Sequence, residues 1–131
     1  MSKWRSIDYE CRLKRELGLL RKSKISEKNK ILIKKYKNHG LARGISIARV
    51  HREIQSLRLL CERYHVELDR IDQDTLEELL AELEISDCSL NTVNEYKKAL
   101  RYFLQFVGKE ELASKIRRKE PKITILRERT F

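Results

Sequence analysis

The chain has 131 residues, 40% of them hydrophobic and 38% charged, with a formal net charge of +10. This length suits one domain with one core, and four glycines and one proline favour long helices over a sheet built on tight turns. No apolar run is long enough to span a bilayer or to serve as the core of a signal peptide, so we expect a soluble cytoplasmic protein.

Three cysteines, Cys11, Cys61 and Cys88, are spread along the chain without a CxxC pair. An odd number at wide spacing predicts neither a disulfide framework nor a zinc site. The pattern indicates a reducing compartment, and Cys61, which lies on an apolar stripe, is expected to be a small core residue.

Charge is distributed in three blocks along the chain. Residues 1–58 hold 17 Lys and Arg against 5 Asp and Glu, residues 59–95 hold 2 against 11, and residues 96–131 hold 11 against 4. Two basic segments that flank an acidic one predict one surface facing a polyanion and another turned away from it. The alternative is that these runs are ordinary solvated faces of basic helices.

The first part of the chain predicts two helices and a turn. The first helix covers residues 7–21, and the second covers 27–38 with Ser26 as its cap. Gly40 and Gly44 can both adopt left-handed conformations that end the second helix and redirect the chain. The residues expected to face inward are Tyr9, Leu13, Leu17, Leu20, Ile31, Leu32 and Tyr36.

The third predicted helix begins near Ser46 and ends near His65, and its apolar residues recur every three or four positions. The opposite face is polar and mostly basic. The apolar stripe consists of Ile47, Val50, Ile54, Leu57, Leu60, Cys61 and Tyr64. The polar face carries Arg49, Arg52, Ser56 and Arg63.

A short acidic helix is predicted over residues 74–84. Asp74 and Glu77 form a capping-box pattern at its start. Its glutamates would repel phosphates, so we expect this helix to lie away from any nucleic acid. The inward residues are Leu76, Leu79, Leu80 and Leu83, and the exposed ones are Glu78, Glu82 and Glu84.

The fifth predicted helix starts at Ser89 or Asn91, either of which can cap it, and Gly108 ends it. Beyond it, residues 109–131 predict a short helical piece and then an extended basic tail, with six Lys and Arg between 115 and 127. The core stripe of the fifth helix consists of Val93, Tyr96, Leu100, Phe103, Leu104 and Val107.

No catalytic constellation is recognisable in the sequence. His39, His51 and His65 show neither HExxH nor HxH spacing and no carboxylate pair at metal-ligand spacing. A glycine-rich phosphate loop and a GxSxG motif are also missing. The sequence therefore predicts a non-enzymatic chain without a metal or cofactor.

The polar faces of the third and fifth helices carry the candidate binding residues. On the fifth helix, Asn94, Lys97 and Arg101 share one face, which Lys98 broadens. Such a helix fits the major groove of DNA, where Lys and Arg reach phosphates or guanine and Asn reads adenine. Hydroxyl and free amide groups at its start can donate to a phosphate. The full candidate set is Arg43, Ser46, Arg49, Arg52, Ser56, Asn91, Thr92, Asn94, Lys97, Lys98, Arg101, Arg117, Arg118 and Lys119.

The same two helices carry a further pattern of residues. It consists of Gly44, Ile45 and Ser46, then Ser89, Thr92, Asn94, Tyr96, Ala99, Leu100, Arg101 and Phe103. In this order the residues resemble the N-terminal core-binding domain of tyrosine recombinases, the phage-integrase family, over roughly residues 7–108. The extra N-terminal helix, and Arg49 where many bacterial members have Thr, are similar to archaeal integrases.

The resemblance implies an all-α fold, a compact bundle of four to five helices that forms half of a clamp around duplex DNA. Residues 1–108 would form the core-binding domain, with 7–24 as the extra helix, and 109–131 the basic linker towards a catalytic domain. The implied partners are double-stranded DNA on the nucleoid, a catalytic half and other integrase protomers, and no membrane.

The catalytic residues of that family have no counterpart in this sequence. HxxR does not occur, Tyr102 is expected on a helix surface, and the other four tyrosines lie in or beside apolar stripes. None matches the nucleophile of the family. We therefore expect the chain to grip DNA without cutting it, as a fragment of an integrase or as a short protein of its own.

Two other function classes fit the same composition. One is a helical protein-interaction module or homodimer, in which the basic faces meet an acidic partner or the acidic helix of another copy. The other is an RNA-binding domain, which the lack of aromatic stacking residues exposed on a sheet disfavours.

Overall fold

The computed structural model describes the backbone of residues 2–121 and the side chains of residues 9–121. Within these residues there are helices and no strand, so the predicted all-α bundle is confirmed. The helices are α1 (Ser2–Lys22), α2 (Glu27–Ala42), α3 (Ile47–Tyr64), a 3-10 helix (Leu68–Arg70), α4 (Gln73–Ile85), α5 (Leu90–Phe106) and the single turn α6 (Glu110–Ala113).

The central element is α3, against which α1, α2 and α5 pack. Its predicted boundaries are confirmed: Ser46 caps the start by accepting the amide of Arg49, and His65 ends it in the left-handed conformation. The apolar stripe predicted for this helix supplies the middle of the core, with Val50, Ile54, Leu57, Leu60 and Cys61 all buried. Burial raises the pKa of the Cys61 thiol to about 12, which keeps this thiol protonated and inert.

An ionic cluster joins α1 to α3 beside the apolar core. The guanidinium of Arg58 donates through two nitrogens to the carboxylate of Glu16, and its Nη1 donates to both oxygens of Glu62 at 3.0 and 3.1 Å. The hydroxyl of Ser23 donates to Glu62 at 2.7 Å. We define these four residues as the Arg58 cluster. It fixes α1 on α3 by polar bonds, in addition to the buried Leu13 and Leu20.

The inward face of α2 is centred on a different apolar residue from the one predicted. Ser26 caps the helix as expected, but Ile31 is 52% exposed, so its predicted place in the core is wrong. The buried residues are Asn29, Ile33 and Tyr36. The side chain of Asn29 accepts the amide of Leu68 and donates to the carbonyl of Val66. This pairing turns Asn29 inward, and Ile33, four residues later, follows it.

The two glycines after Asn38 have different roles. Gly40 lies inside α2, which continues to Ala42, so its predicted role in ending the helix is wrong. A Cβ atom at Gly40 would lie 3.1 Å from Cγ2 of Val50, so the missing side chain lets α2 approach α3 closely. Gly44 has a φ of +83° and provides the turn into α3, as predicted.

The acidic helix α4 has the predicted inward face, with Leu76, Leu79 and Leu83 buried. The predicted cap at Asp74 is wrong, because Asp72 caps the helix and accepts the amide of Thr75 at 2.8 Å. This hydrogen bond lowers the pKa of Asp72. The exposed face of α4 is acidic, as expected.

The fifth helix, α5, follows its prediction closely. Ser89 is the cap, Gly108 takes a φ of +84° after the helix, and every residue of the predicted stripe is buried except Val107, which is half-buried. Its amphipathic pattern therefore corresponds to one apolar face in the core and one opposite polar face.

The chain after α5 packs on the bundle as far as residue 119. Ala113 of α6 and Ile116 are buried, and Nζ of Lys109 donates to the carbonyl of Ile71 at 2.8 Å. We define residues 115–119 as the C-terminal segment. The packed region thus extends past residue 108, where the basic linker was predicted to begin. The remainder of the predicted tail, 122–131, lies outside the described residues.

Candidate nucleic-acid interface

The two helices with predicted binding faces run side by side in opposite directions. Near the start of α3, the guanidinium of Arg49 lies 4.9 Å from the ring centre of Tyr102 on α5. Near the end of α3, Arg63 donates to the sulfur of Cys88, just before α5 begins. The basic start of α3 is therefore adjacent to the last turns of α5.

Tyr102 links these two polar faces and was not among the predicted site residues. The guanidinium of Arg101 lies 5.3 Å from its ring centre, in addition to Arg49 at 4.9 Å. Both distances are within the range of cation–π attraction. The ring therefore holds two cations together that would otherwise repel each other. The sequence neighbour Arg101 could have suggested a cation–π contact for Tyr102. The contact with Arg49 on α3 could be recognised only in the tertiary structure.

Arg49 is also held by a buried carboxylate, Glu53, which was not among the predicted site residues. Its Nε donates to Glu53 at 2.9 Å, and the hydroxyl of Tyr36 donates to the same carboxylate at 2.6 Å. The hydrogen bond to Glu53 raises the pKa of Arg49, while burial and this same carboxylate raise the pKa of Tyr36. The i, i+4 spacing of Arg49 and Glu53 was the available signal. Arg49 is thus a positioned cation with one side towards α5.

A groove of about 260 Å³ lies between α5 and the C-terminal segment. Both α5 and the C-terminal segment contribute cations to this groove. Glu95 is the one carboxylate among the lining residues. Lys98 and Arg118 find no hydrogen-bond or ion-pair partner among the described residues. The lining consists of Asn91, Asn94, Glu95, Lys97, Lys98, Arg101, Ile116 and Arg118. We call this the basic groove.

A second cavity, of about 420 Å³, lies where α2, α3 and the end of α5 meet. Its lining includes Arg43 and Arg49, the Tyr102 and Phe106 rings of α5 and the carboxylate of Glu110. Phe106 packs against the ring of His39 at 4.7 Å between centres. Because its rings pack on one another and Arg49 is paired with Glu53, this cavity offers fewer uncommitted groups than the basic groove.

Two predicted contact residues on α5, Asn94 and Lys97, hold the C-terminal segment. The side-chain oxygen of Asn94 accepts the amide of Lys119 at 2.7 Å, and its nitrogen donates to the carbonyl of Lys119 at 3.2 Å. Nζ of Lys97 donates to the carbonyl of Arg117 at 3.0 Å and pairs with Glu84 at 2.8 Å. Lys97 is buried, so the expectation that it lies on an exposed face is wrong, because the segment covers it.

The pairing of Lys97 with Glu84 shows that the end of α4 lies closer to the binding helices than expected. Glu84 was predicted on a face turned away from the binding helices, together with Glu78 and Glu82. Instead, the last turn of α4 reaches the flank of α5, where Glu84 neutralises Lys97. The net positive charge of the basic groove therefore comes from Lys98, Arg101 and Arg118.

Ser56 was predicted on the exposed face of α3, and this placement is wrong because the residue is only 5% exposed. Arg49 and Arg63, which each lie about two turns from it on the same side, both contact α5 or a residue just before it. Ser56 thus lies where α3 approaches α5. A small side chain at this position permits close packing, whereas Arg52 at the edge of the contact is exposed.

The remaining predicted residues are found at the edges of the interface. Arg43, Ser46, Asn91 and Arg117 are exposed and Thr92 is half-exposed. The amide of Thr92 is not free as expected, because the cap Ser89 accepts it at 3.2 Å. Lys119 directs its Nζ to the carbonyl of Glu84 at 2.9 Å. The structure thus brings together Asn91, Lys98, Arg101 and Arg118 on one side of α5, and it places Arg43, Arg49 and Arg52 just before or within the first turns of α3.

Comparisons with family models, curated proteins and solved structures found no match for this chain. Among the described residues, the His, Cys, Asp and Glu side chains form no group of three that could hold a metal ion. None of the helices in this part of the chain has both the length and the apolar character to cross a membrane.

Proposed function

We propose that this chain is a duplex-DNA-binding module of a site-specific tyrosine recombinase, which grips the recombination site through α3 and α5 without providing the catalytic residues. One observation carries the proposal. The basic groove presents Lys98, Arg101 and Arg118 against a single carboxylate, Glu95. A groove with this balance of charge attracts a polyanion.

The shape of the surface supports duplex DNA as that polyanion. The 17 residues of α5 form a rod of about 25 Å, and an α-helix fits the major groove. With α3 alongside, Arg43 and Arg52 would lie near the flanking phosphates. RNA duplexes present a deep and narrow major groove that side chains do not read, so DNA is the better match.

The cations divide into two roles by their internal bonds. Lys98, Arg118 and Arg52 find no hydrogen-bond or ion-pair partner within the described part of the chain, so phosphates would replace only water and counterions around them. Arg49 and Arg101 are oriented by the Tyr102 ring. Because less side-chain entropy is lost when an oriented guanidinium forms its bonds, these two are the better candidates for reading a base edge.

Titration of a labelled duplex at several salt concentrations tests the proposal, with a scrambled duplex and a duplex RNA in parallel. We expect the chain to bind duplex DNA. The logarithm of the association constant should fall steeply as the logarithm of the salt concentration rises. Lys98→Ala should weaken binding to all duplexes equally and reduce the salt slope by about 1. Arg101→Ala should cost about 1–3 kcal/mol if the side chain reads a base, and a smaller and uniform amount if it contacts a phosphate.

Lys35→Ala is the matched control, because Lys35 is an exposed lysine of α2 that lines neither the basic groove nor the second cavity. Equal losses for Lys35→Ala and Lys98→Ala would mean that net charge alone drives binding. No duplex binding even at low salt would refute the proposal. Sedimentation would then test self-association between the basic groove and the exposed Glu78 and Glu82 of α4.

A further inference from the structure

We propose that Asn94 and Lys97 act on DNA binding as positioning residues, by holding the C-terminal segment as the second wall of the basic groove. In this arrangement Arg117 and Arg118 become part of the DNA-contacting surface, whereas Asn94 does not touch a base. The inference rests on the proposed function, and it differs from the sequence-based expectation that Asn94 reads adenine.

The bonds of Asn94 leave no pairing edge for a base. An Asn side chain recognises adenine by presenting its oxygen and nitrogen together in a bidentate pair. Here the oxygen accepts the amide of Lys119 and the nitrogen donates to the carbonyl of the same residue. A base could take this edge only after the C-terminal segment had detached.

The segment is held at several points along its length. Lys97 donates to the carbonyl of Arg117, Ile116 is buried, and Nζ of Lys119 donates to the carbonyl of Glu84. Lys115 adds a bond of 2.9 Å to Oε1 of Gln73. Bonds at successive residues define both the position and the direction of the segment.

These bonds leave the two arginines of the segment available. The bonds from Asn94 and Lys97 go to backbone atoms of residues 117 and 119. The side chains of Arg117 and Arg118 are exposed, with no hydrogen-bond or ion-pair partner among the described residues. Arg118 faces Lys98 and Arg101 across the groove. Docking therefore brings the uncommitted cation of Arg118 beside the polar face of α5, with the exposed Arg117 next to it in the chain.

A mutant cycle in duplex titrations tests this role directly. The double variant Arg117→Ala/Arg118→Ala should reduce the salt slope by about 2, for two lost phosphate contacts. Asn94→Ala should reduce it in the same direction and by no more than that. In the triple variant the losses should not add, because Asn94 acts through the two arginines. Fully additive losses would overturn the inference, since they would mean that Asn94 contacts DNA independently.

Lys119→Pro tests the same bond from the other partner, because proline removes the amide that Asn94 accepts. This variant should match Asn94→Ala in affinity although Asn94 is intact. Lys119→Ala, which keeps the amide and removes only the side chain, is the matched control and should lose less. If Lys119→Pro bound DNA as tightly as Lys119→Ala, the positioning role would be refuted.

Amide hydrogen exchange without DNA separates this inference from the proposed function. The amide of Lys119 should be protected in the parent protein and lose protection in Asn94→Ala, while the core amides of α3 stay protected. Lost protection with unchanged DNA affinity would overturn the positioning role but leave the proposed function standing. If the parent protein failed to bind DNA at all, the proposed function would fail and this role with it.

Discussion

Two regions of the molecule bury a basic side chain, Arg58 between α1 and α3 and Lys97 between α5 and the C-terminal segment. Both side chains are about equally hidden, at 10% and 7% exposure. Their partners differ, because Glu16 is 2% exposed whereas Glu84 is 48% exposed. The first ion pair is thus buried on both sides, and the second keeps one partner in contact with water.

The difference indicates what each region does. Removing one member of a fully buried pair leaves a desolvated charge, so the Arg58 cluster is part of the stable bundle. Glu84 is half exposed, so removing Lys97 leaves no desolvated charge there, and the C-terminal segment can detach at lower cost while the bundle stays folded. The first region maintains the fold, and the second shapes the surface proposed to bind DNA.

The largest expected effect comes from breaking the Arg58 cluster. Arg58→Ala should lower the free energy of unfolding by about 3–5 kcal/mol, because Glu16 would remain buried and unpaired. Urea denaturation measures this as a lower midpoint at an unchanged slope. Arg52→Ala, an exposed arginine on the same helix, should stay within about 0.5 kcal/mol of the parent.

A double replacement sharpens the same prediction. Arg58→Met with Glu16→Leu removes both charges while keeping apolar volume, and it should be far less destabilising than Arg58→Ala alone. If the double variant were as unstable as Arg58→Ala, the loss would come from packing and not from an unpaired buried carboxylate.

A smaller effect is expected from Lys97→Ala. It should cost about 1–2 kcal/mol, since charge-assisted hydrogen bonds are lost but Glu84 is resolvated. High salt should shrink this cost more than that of Arg58→Ala, because salt screens the half-exposed pair more effectively. Denaturation at low and high salt measures both costs. An equal salt response in the two variants would contradict the comparison.

The smallest effect concerns His51, which lies near the Arg58 cluster. Burial lowers its pKa from the ordinary 6.5, the carboxylate of Glu16 opposes that shift, and Arg12 and Arg52 add to it. Because the folded state binds the proton less well, the contribution of His51 to stability is complete above pH 6.5 and is lost as the pH falls below that value.

Titration of the imidazole by NMR checks this sign. The pKa of His51 should lie below 6.5 and fall further in Glu16→Gln, which removes the opposing carboxylate charge. His51→Gln should remove the corresponding loss of stability on acidification below pH 6.5. A pKa above 6.5 would show that the carboxylate of Glu16 outweighs burial.

Most of the helical architecture could be predicted because it depends on local pattern. The stripes of α3 and α5 repeat with the helical period, and their caps, Ser46 and Ser89, directly precede them. The prediction for α2 was less accurate since its apolar residues Ile31, Leu32 and Ile33 are adjacent. The period alone could not choose among them. The long-range bonds of Asn29 to Val66 and Leu68 decided the choice.

The polar residues of the site were predicted by type but not by role. Asn94, Lys97 and Lys98 were all predicted as polar residues of the binding face. Lys98 is exposed, whereas the other two bind the C-terminal segment. Ser56 likewise has the polarity of a surface residue and is buried at a helix contact. Which polar side chains remain available depends on what packs over them, and residues distant in the sequence provide that cover.

Spacing and composition account for the all-α class, the order of the helices, most of their boundaries and the segregation of charge. Long-range packing was needed to establish that Tyr102 draws Arg49 and Arg101 together, that Glu16 and Arg58 join α1 to α3, and that residues 115–119 form a wall of the basic groove. Each of these arrangements depends on contacts between residues far apart in the chain, and the local spacing of residues does not predict such contacts.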